Sequence, residues 1–127
     1  MLQPYRESVE TEGELSLVVV DGEATHGVRK IPVPGDYRVQ DDFDASDVPH
    51  EFAADERAAL LEVVVAAERE LAMPTGSLLY ARVDVLRAPD GGLDLNELEL
   101  VEPSLFFRHR AAAAERLAEA LLRRASG

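Results

Sequence analysis

Residues 78–101 read LLYARVDVLRAPDGGLDLNELELV, in which two runs rich in leucine and valine flank the turn-forming stretch PDGG at 89–92. Two such runs separated by a short loop with proline and glycine are typical of a β-hairpin. We therefore predict antiparallel strands over 78–87 and 93–101. The four-residue loop predicts a register in which Ala88 pairs with Leu93.

This register predicts three carboxylates on one face of the hairpin. It places Asp84 opposite Glu97, and Glu99 shares the face of Glu97 because side chains alternate along a strand. Like charges that face each other in a sheet are destabilising unless a cation compensates them. The same alternation predicts three apolar neighbours for the acids, namely Leu93, Leu95 and Val101.

A divalent cation suits this set of oxygen ligands. Mg²⁺ typically uses one or two carboxylates together with substrate phosphates, and Mn²⁺ accepts similar ligands. Spacing alone leaves a second interpretation open, which is a solvated acidic strand end. In that case Arg82, opposite Glu99, is a simple salt-bridge partner.

The remaining sequence predicts two more strands and two helices. Strands are expected over 15–20 and 24–31, on either side of a DG dipeptide that favours a tight hairpin turn. Helical periodicity predicts helices over about 55–72 and about 111–125. The order β-β-α-β-β-α predicts an α+β fold in which two helices cover one face of an antiparallel sheet and leave the other for a ligand or partner.

Composition and charge predict a single acidic domain spanning 1–127. The chain has 127 residues, of which 46% are hydrophobic, and these values suffice for a buried core. A net charge of −12 argues against nucleic acid and anionic membranes as partners. No apolar run approaches the roughly 20 residues that span a bilayer, and no signal-peptide pattern opens the chain, so the cytoplasm is the expected location. The acidic stretch 41–50 is expected to be a surface loop.

The residues around the hairpin resemble the metal-binding end of ATP-grasp ligases of the glutathione-synthetase and ribosomal-protein glutamate-ligase type. The segments RVD at 82–84, ELE at 97–99 and EPS at 102–104 match, in order, an Asp on one strand, a Glu-x-Asn on the next strand and a following Pro. In this family, those acids hold two Mg²⁺ ions against the phosphates of ATP.

Two upstream segments extend the resemblance to essentially the whole chain. GDYR at 35–38 resembles the family's Gly-Asp-Phe-Arg loop, whose arginine neutralises phosphate charge. QPY at 3–5, with the segment 13–22 that follows, resembles the hinge and first strand of the family's C-terminal lobe. The motifs occur in the family's order.

The resemblance implies a role for each of these side chains in ATP-dependent joining of a carboxylate to an amine through an acyl phosphate. Metal binding is implied for Asp84, Glu97 and Glu99, and a contact with the transferred phosphate for Arg38. ATP and Mg²⁺ are the implied cofactors, with Mn²⁺ as a substitute, and a small-molecule carboxylate and an amine are the implied substrates. Contacts within the nucleotide site are implied for Gln3, Tyr5, Glu14, Lys30 and Arg82.

Ordinary surface roles remain open for several of these residues. Arg38 precedes an acidic stretch with which it can form a salt bridge. Arg29 and Lys30 at a strand end also suit a solvated surface, and Glu14 suits a solvated strand start.

The chain departs from the family pattern in two places. Glu99 stands where the family has Asn, which adds negative charge at the metal site. The stretch DDFDA at 41–45 stands where many relatives have a Gly-Gly pair that approaches the substrate.

The resemblance also leaves out a large part of the family's active site. The family's first lobe supplies phosphate-binding lysines and a glycine-rich flap, and neither pattern occurs in this sequence. The chain is therefore expected to be a C-terminal lobe without its N-terminal nucleotide lobe, cut from a longer ligase and inactive alone. Two alternatives stay open: a homodimerisation or assembly module derived from this lobe, and an acidic divalent-cation binder without ATP chemistry.

Overall fold

The structure, a computed structural model, describes residues 2, 4–31 and 46–127. These residues form an antiparallel sheet with helices, so the predicted α+β class is confirmed. The strands are β1 (Glu14–Val20), β2 (Glu23–Lys30), β3 (Asp47–His50), β4 (Tyr80–Arg87) and β5 (Leu93–Glu99), in the spatial order β3-β2-β1-β4-β5. The helices are α1 (Ser8–Thr11), α2 (Ala54–Glu70) and α3 (Ala111–Ser126), and a 3₁₀ turn (Phe107–His109) precedes α3.

The turn between β1 and β2 follows directly from its two residues. Val20 pairs with Glu23, which leaves a two-residue loop of Asp21 and Gly22. Their φ angles are 50° and 78°, a left-handed pair that suits the right-handed twist of the strands and that Asp and Gly adopt most readily. The predicted tight hairpin turn is therefore confirmed.

The register of β4 and β5 is confirmed at the acidic end of the hairpin. Asp84 lies opposite Glu97 and Arg82 lies opposite Glu99. A β-bulge between Asp84 and Val85 then shifts the pairing by one residue, and Asn96 is the extra residue of β5. The acids consequently keep their predicted partners, whereas the residues next to the turn pair differently from the prediction.

Nearer the turn, the predicted pairing of Ala88 with Leu93 is wrong. Leu93 pairs with Arg87, since the bulge shifts the first half of β5 by one position. Leu93 therefore packs into the core on the opposite face from the acids. Leu95 and Val101 are largely exposed, at 52% and 77%, so the predicted apolar surroundings of the acids are not formed.

The two long helices lie on opposite faces of the sheet. One face packs Leu17 and Val83 against Leu60 and Val64 of α2. The other face carries a second cluster, which Leu117 of α3 joins. Residues 17 and 18 point to opposite faces because side chains alternate, and Val18 belongs to the second cluster.

The expectation that both helices cover one face is thus wrong in this detail. Helix α3 packs closely against the far face because its inward residues Ala113 and Ala120 are small and buried. Helix α2 covers the first face. The second face therefore combines an apolar end under α3 with the charged residues described below.

The acidic stretch predicted to be a surface loop ends in a strand. Residues 47–50 pair with β2 as the edge of the sheet, with Val28 opposite Pro49. A proline is compatible with this position because an edge strand has no outer partner for a backbone N–H. The remainder of the predicted loop, 41–45, lies outside the described residues. Neither the length nor the hydropathy of any described helix suffices to traverse a bilayer.

Gly27 allows the edge strand to pack closely, and Gly27→Ala is expected to destabilise the fold. A Cβ at this position would lie 2.4 Å from the carbonyl oxygen of His50 and 2.8 Å from the ring of Phe52. Overpacking of this kind typically costs about 1–3 kcal/mol. Urea unfolding measures the loss, with the chain-end variant Gly127→Ala as the control. Equal stability of the two variants would contradict the packing argument.

Candidate functional site

Charged side chains lie buried on the face of the sheet that carries α3. Lys30 and Glu14 face each other across β2 and β1, and Asp84 of β4 lies opposite Ser16 of β1. The exposed fractions are 6% for Glu14, 4% for Lys30, 5% for Arg82 and 0% for Asp84. Charged residues are almost never buried this deeply unless they are paired, so this cluster is the candidate site.

Asp84 and Arg82 form a buried ion pair within β4. The Arg82 Nε donates to Asp84 Oδ1 at 2.9 Å, and its Nη2 donates to Oδ2 at 2.9 Å. The hydroxyl of Ser16 donates to the same Oδ1 at 2.6 Å, and Arg82 Nη1 donates to the carbonyl of Ser104 at 3.2 Å. The carboxylate of Asp84 is therefore fully engaged.

Glu14 and Lys30 form a second buried ion pair beside the first. Lys30 Nζ donates to Glu14 Oε1 at 2.9 Å, and Asn96 Nδ2 donates to Oε2 at 2.6 Å. Burial raises the pKa of Glu14, and the negative charge of Asp84 raises it further, while Lys30 and Asn96 partly offset both effects. The bulge at Asn96 brings an amide donor to the carboxylate of Glu14.

Glu97 and Glu99 form a pair of carboxyl groups at the margin of the cluster. The main cause that raises the pKa of Glu97 is a hydrogen bond that its protonated carboxyl donates to Glu99, followed by burial and by the charges of Glu99, Asp84 and Glu14. The proton on Glu97 relieves the repulsion between the two carboxyl groups. A divalent cation in place of that proton would satisfy both groups.

The structure brings Glu97 and Glu99 together but keeps Asp84 on Arg82. Among residues 4–31 and 46–127, no group of three or more His, Cys, Asp or Glu side chains is arranged to hold a metal ion. The Glu97–Glu99 pair still fits Mg²⁺, since one or two carboxylates suffice when phosphates and water complete the coordination. The three-carboxylate site itself stays a prediction.

Glu97→Gln is expected to remove part of the pH dependence of stability in metal-free buffer. Because the folded-state pKa of Glu97 is raised, its stabilising contribution is fully present below its ordinary value and is lost as the pH rises through the folded value. Urea unfolding in a chelator between about pH 4 and 7 measures this fall. We expect a smaller fall in Glu97→Gln and an unchanged fall in Glu62→Gln, which alters an exposed acid of α2. Identical curves of stability against pH for the parent and Glu97→Gln would contradict the raised pKa of Glu97.

The structure describes Pro4 and Tyr5 of the predicted hinge. Tyr5 is 57% exposed, donates its hydroxyl to Glu10, and lines a cleft of about 500 Å³ beside Arg87 and Pro89. Gln3 and the predicted phosphate ligand Arg38 lie outside the described residues.

A second cleft lies along β5. It has a volume of about 210 Å³, and Asn96 contributes to its wall, next to Glu97 in the sequence. Its other lining residues are Pro4, Arg6, Leu86, Asp94 and Leu95. This cleft combines apolar walls with a few polar groups, which is typical of small-molecule sites.

Sequence reasoning missed three residues of the cluster. Ser16 and Asn96 hold the buried carboxylates, and Phe106 lies against three cations. Asn96 left a detectable signal, because asparagine is depleted from strands and here interrupts an alternating run. Ser16 left none.

Comparison with known proteins identifies relatives by sequence and by fold. The chain is similar to the cycloserine biosynthesis protein DcsG of Streptomyces lavendulae, with 34% identity over 134 residues, covering 98% of this chain and 42% of that protein. The crystal structure of D-cycloserine synthetase DcsG matches with a TM-score of 0.80 and 30% identity, over 96% of this chain and 41% of that chain. The chain thus spans less than half the length of this relative. No protein-family model matches the chain.

Two further solved structures share the fold. D-alanine–D-alanine ligase from Bacillus anthracis, complexed with ATP, gives a TM-score of 0.51 at 19% identity, over 90% of this chain and 40% of that chain. The ATP-grasp ligase PsnB, complexed with a phosphomimetic precursor variant, Mg and ADP, gives 0.56 at 18% identity, over 86% and 32%. At these identities the likeness concerns the fold alone. Taken together with the DcsG match, they confirm the resemblance carried by the motifs, and the chain shares its fold with the ATP-grasp ligases.

Proposed function

We propose that this chain supplies one side of the ATP site of a carboxylate–amine ligase. The observation that carries the proposal is the position of Glu97 and Glu99, which lie opposite Asp84 and Arg82 and beside a buried cluster of two cations and two carboxylates. Glu97 and Glu99 are the proposed direct metal ligands. Asp84 is proposed to hold Arg82 in place, and to join the metal only where Arg82 turns to a phosphate.

The cations of the cluster suit phosphate. Arg82 presents a planar guanidinium, which pairs with phosphate oxygens in a bidentate manner, and Lys30 presents a point charge. Both are held by carboxylates in this structure, so an arriving phosphate would share them with Asp84 and Glu14. When bound, Mg²⁺ would neutralise charge on the β- and γ-phosphates.

The reaction proposed for the complete site has two steps. An oxygen of the substrate carboxylate attacks the γ-phosphorus of ATP, the bond to the β-phosphate oxygen breaks, and ADP leaves. An amine then attacks the acyl carbon, phosphate leaves with the oxygen of the carboxylate, and the amine loses a proton. The contribution of this chain is to position the phosphates and neutralise their charge. Arg38 is the residue proposed to contact the transferred phosphate.

The cleft of about 210 Å³ beside Asn96 is the proposed place for the adenine. Asn96 in its wall precedes Glu97 in the sequence, and a nucleotide is proposed to extend from this cleft toward Glu97. Tyr5, Gln3 and Glu14 are proposed to line the junction with the rest of the nucleotide site. The rest of the nucleotide site is proposed to come from another segment of the same protein or from a second copy of the chain. An ATP-consuming reaction of this kind fits the cytoplasm, and Mn²⁺ is a plausible replacement for Mg²⁺.

Calorimetric titration of the complete protein with ATP tests the proposal. We expect ATP to bind in the presence of Mg²⁺ and to bind at least about tenfold more weakly in EDTA, since two carboxylates without a cation repel the phosphates. Ligation by a polypeptide of residues 1–127 alone is not expected. ATP affinity that is indifferent to Mg²⁺ would contradict the metal assignment.

An assembly role is the alternative function, and one feature favours testing it. Leu121 and Leu122 of α3 are 49% and 71% exposed. Size-exclusion chromatography with and without Mg·ATP separates the two functions. A stable dimer that ignores the nucleotide would favour assembly.

A further inference from the structure

Phe106 occupies a strained position at the centre of the charged face. Its ring is only 3% exposed, although its backbone has a φ of 51°, in the left-handed region that bulky residues rarely adopt. Glu102 in the same connection also has a positive φ, of 53°. Strain of this kind persists only where the surroundings hold it, and it is concentrated at functional sites.

Three cations from three different elements surround this one ring. Lys30 Nζ of β2 lies 5.7 Å from the ring centroid, and Arg82 Cζ of β4 lies 5.6 Å from it. Arg108 Cζ of the 3₁₀ turn lies at 5.5 Å. All three distances fall within the range of about 6 Å over which a cation is attracted to an aromatic face. No two of these cations are therefore farther apart than about twice that distance.

Each cation also has a carboxylate partner, so the ring joins three ion pairs. Lys30 pairs with Glu14 and Arg82 pairs with Asp84, both at 2.9 Å. Arg108 pairs with Asp47 at the start of β3. Like charges gathered this closely repel one another, and the negative face of the ring offsets part of that repulsion. Phe106 thereby fixes the cations relative to one another.

We propose that Phe106 is a positioning residue of the phosphate subsite and that Arg108 is the third cation of that subsite. The proposal rests on the proposed function, since Lys30 and Arg82 are the phosphate cations there. The side chain of Arg108 is 59% exposed, so its guanidinium is accessible to a phosphate oxygen. Phe106 keeps Lys30 and Arg82 in position while the phosphate shares them with their carboxylates.

A packing role for the ring is the competing explanation. Phe106 also contacts the apolar cluster of Val18, Val20 and Val28. Packing depends on the shape and burial of the ring, whereas attraction of cations depends on the negative charge of its face. Stepwise fluorination lowers that charge with little change in shape, and it therefore separates the two roles.

The test replaces Phe106 in the complete protein by phenylalanines with one, two and three ring fluorines. We expect the Kd for Mg·ATP to rise at each step, to about tenfold with three fluorines. The same substitutions at Phe52, equally buried on the opposite face, serve as the control and are expected to leave the Kd unchanged. A flat series at Phe106 would overturn the positioning role.

The role of Arg108 is tested by a matched pair of variants. We expect Arg108→Gln to weaken binding of Mg·ATP about tenfold, and Arg110→Gln, an exposed arginine two residues away, to leave it unchanged. Equal effects of the two variants would remove Arg108 from the subsite, because they would reflect only the net charge of the protein.

A measurement without nucleotide separates this proposal from the proposed function. The Nε–H resonances of Arg82 and Arg108 are expected to shift between the parent and Phe106→Leu, because the ring current acts only at short range. Failure of the parent to bind Mg·ATP while these shifts are observed would contradict the proposed function. Absence of the shifts would contradict the positioning role, whatever the nucleotide does.

Discussion

Asp84→Ala is expected to cost about 3–5 kcal/mol of folding free energy, the largest effect on stability that this structure predicts. The substitution leaves the guanidinium of Arg82 buried without the carboxylate that accepts its Nε and Nη2 donors. It also removes the acceptor for the hydroxyl of Ser16. An uncompensated buried charge is far more costly than the loss of an ordinary hydrogen bond. Urea unfolding at neutral pH measures the effect.

Two further variants test whether the unpaired buried charge of Arg82 causes this loss of stability. Arg82→Met combined with Asp84→Leu removes both charges, and we expect this double variant to regain most of the lost stability. Glu62→Ala, at an exposed acid of α2, is the control and is expected to change stability by less than about 0.5 kcal/mol. A double variant as unstable as Asp84→Ala would show that packing, rather than the unpaired charge, causes the loss.

Glu97→Gln is expected to have the largest effect on nucleotide binding. It keeps the size of the side chain and removes one of the two proposed metal ligands. Loss of a partner in the outer shell of a metal typically costs about 10- to 100-fold in affinity, and a direct ligand should cost at least as much. We therefore expect Mg²⁺ to improve ATP affinity much less in this variant than in the parent.

The measurement compares ATP affinity with Mg²⁺ and with EDTA in the parent and three variants. Glu62→Gln carries the same change of charge on the far side of the sheet and should behave like the parent. Glu99→Asn restores the residue type of the family motif, and it is expected to keep the response to Mg²⁺. A parent-like response in Glu97→Gln would remove Glu97 from the metal site.

The acidic hairpin was predictable because its information is local. The PDGG turn and the alternation of the flanking strands predicted the hairpin itself. Asp84 lies opposite Glu97 as predicted because the bulge offsets the wrong pairing next to the turn. The interruption of the alternating run at Asn96 was the one signal of the bulge in the sequence, and the bulge changes the face of Leu93 without changing the composition of the strand. The predicted register is therefore right from Glu97 onward and wrong between the turn and the bulge.

The contacts across the sheet depend on tertiary structure and could not be predicted from the sequence pattern. Nothing in the alternation of β1 indicates that Ser16 would meet Asp84, because this contact needs β1 beside β4. Helical periodicity likewise predicts an amphipathic α3 but does not say which face of the sheet it covers. The left-handed backbone of Phe106 is a third such feature, since the ring of this residue packs against side chains from several strands.

The most direct test of the metal site is a crystal structure of the complete protein with Mn²⁺ and a non-hydrolysable ATP analogue. Anomalous scattering from Mn²⁺ locates the metal independently of the refined coordinates. We predict a peak bound by the carboxylates of Glu97 and Glu99 and by phosphate oxygens, on the sheet face that carries Lys30 and Arg82. A bound nucleotide whose metal lies away from Glu97 and Glu99 would contradict the account.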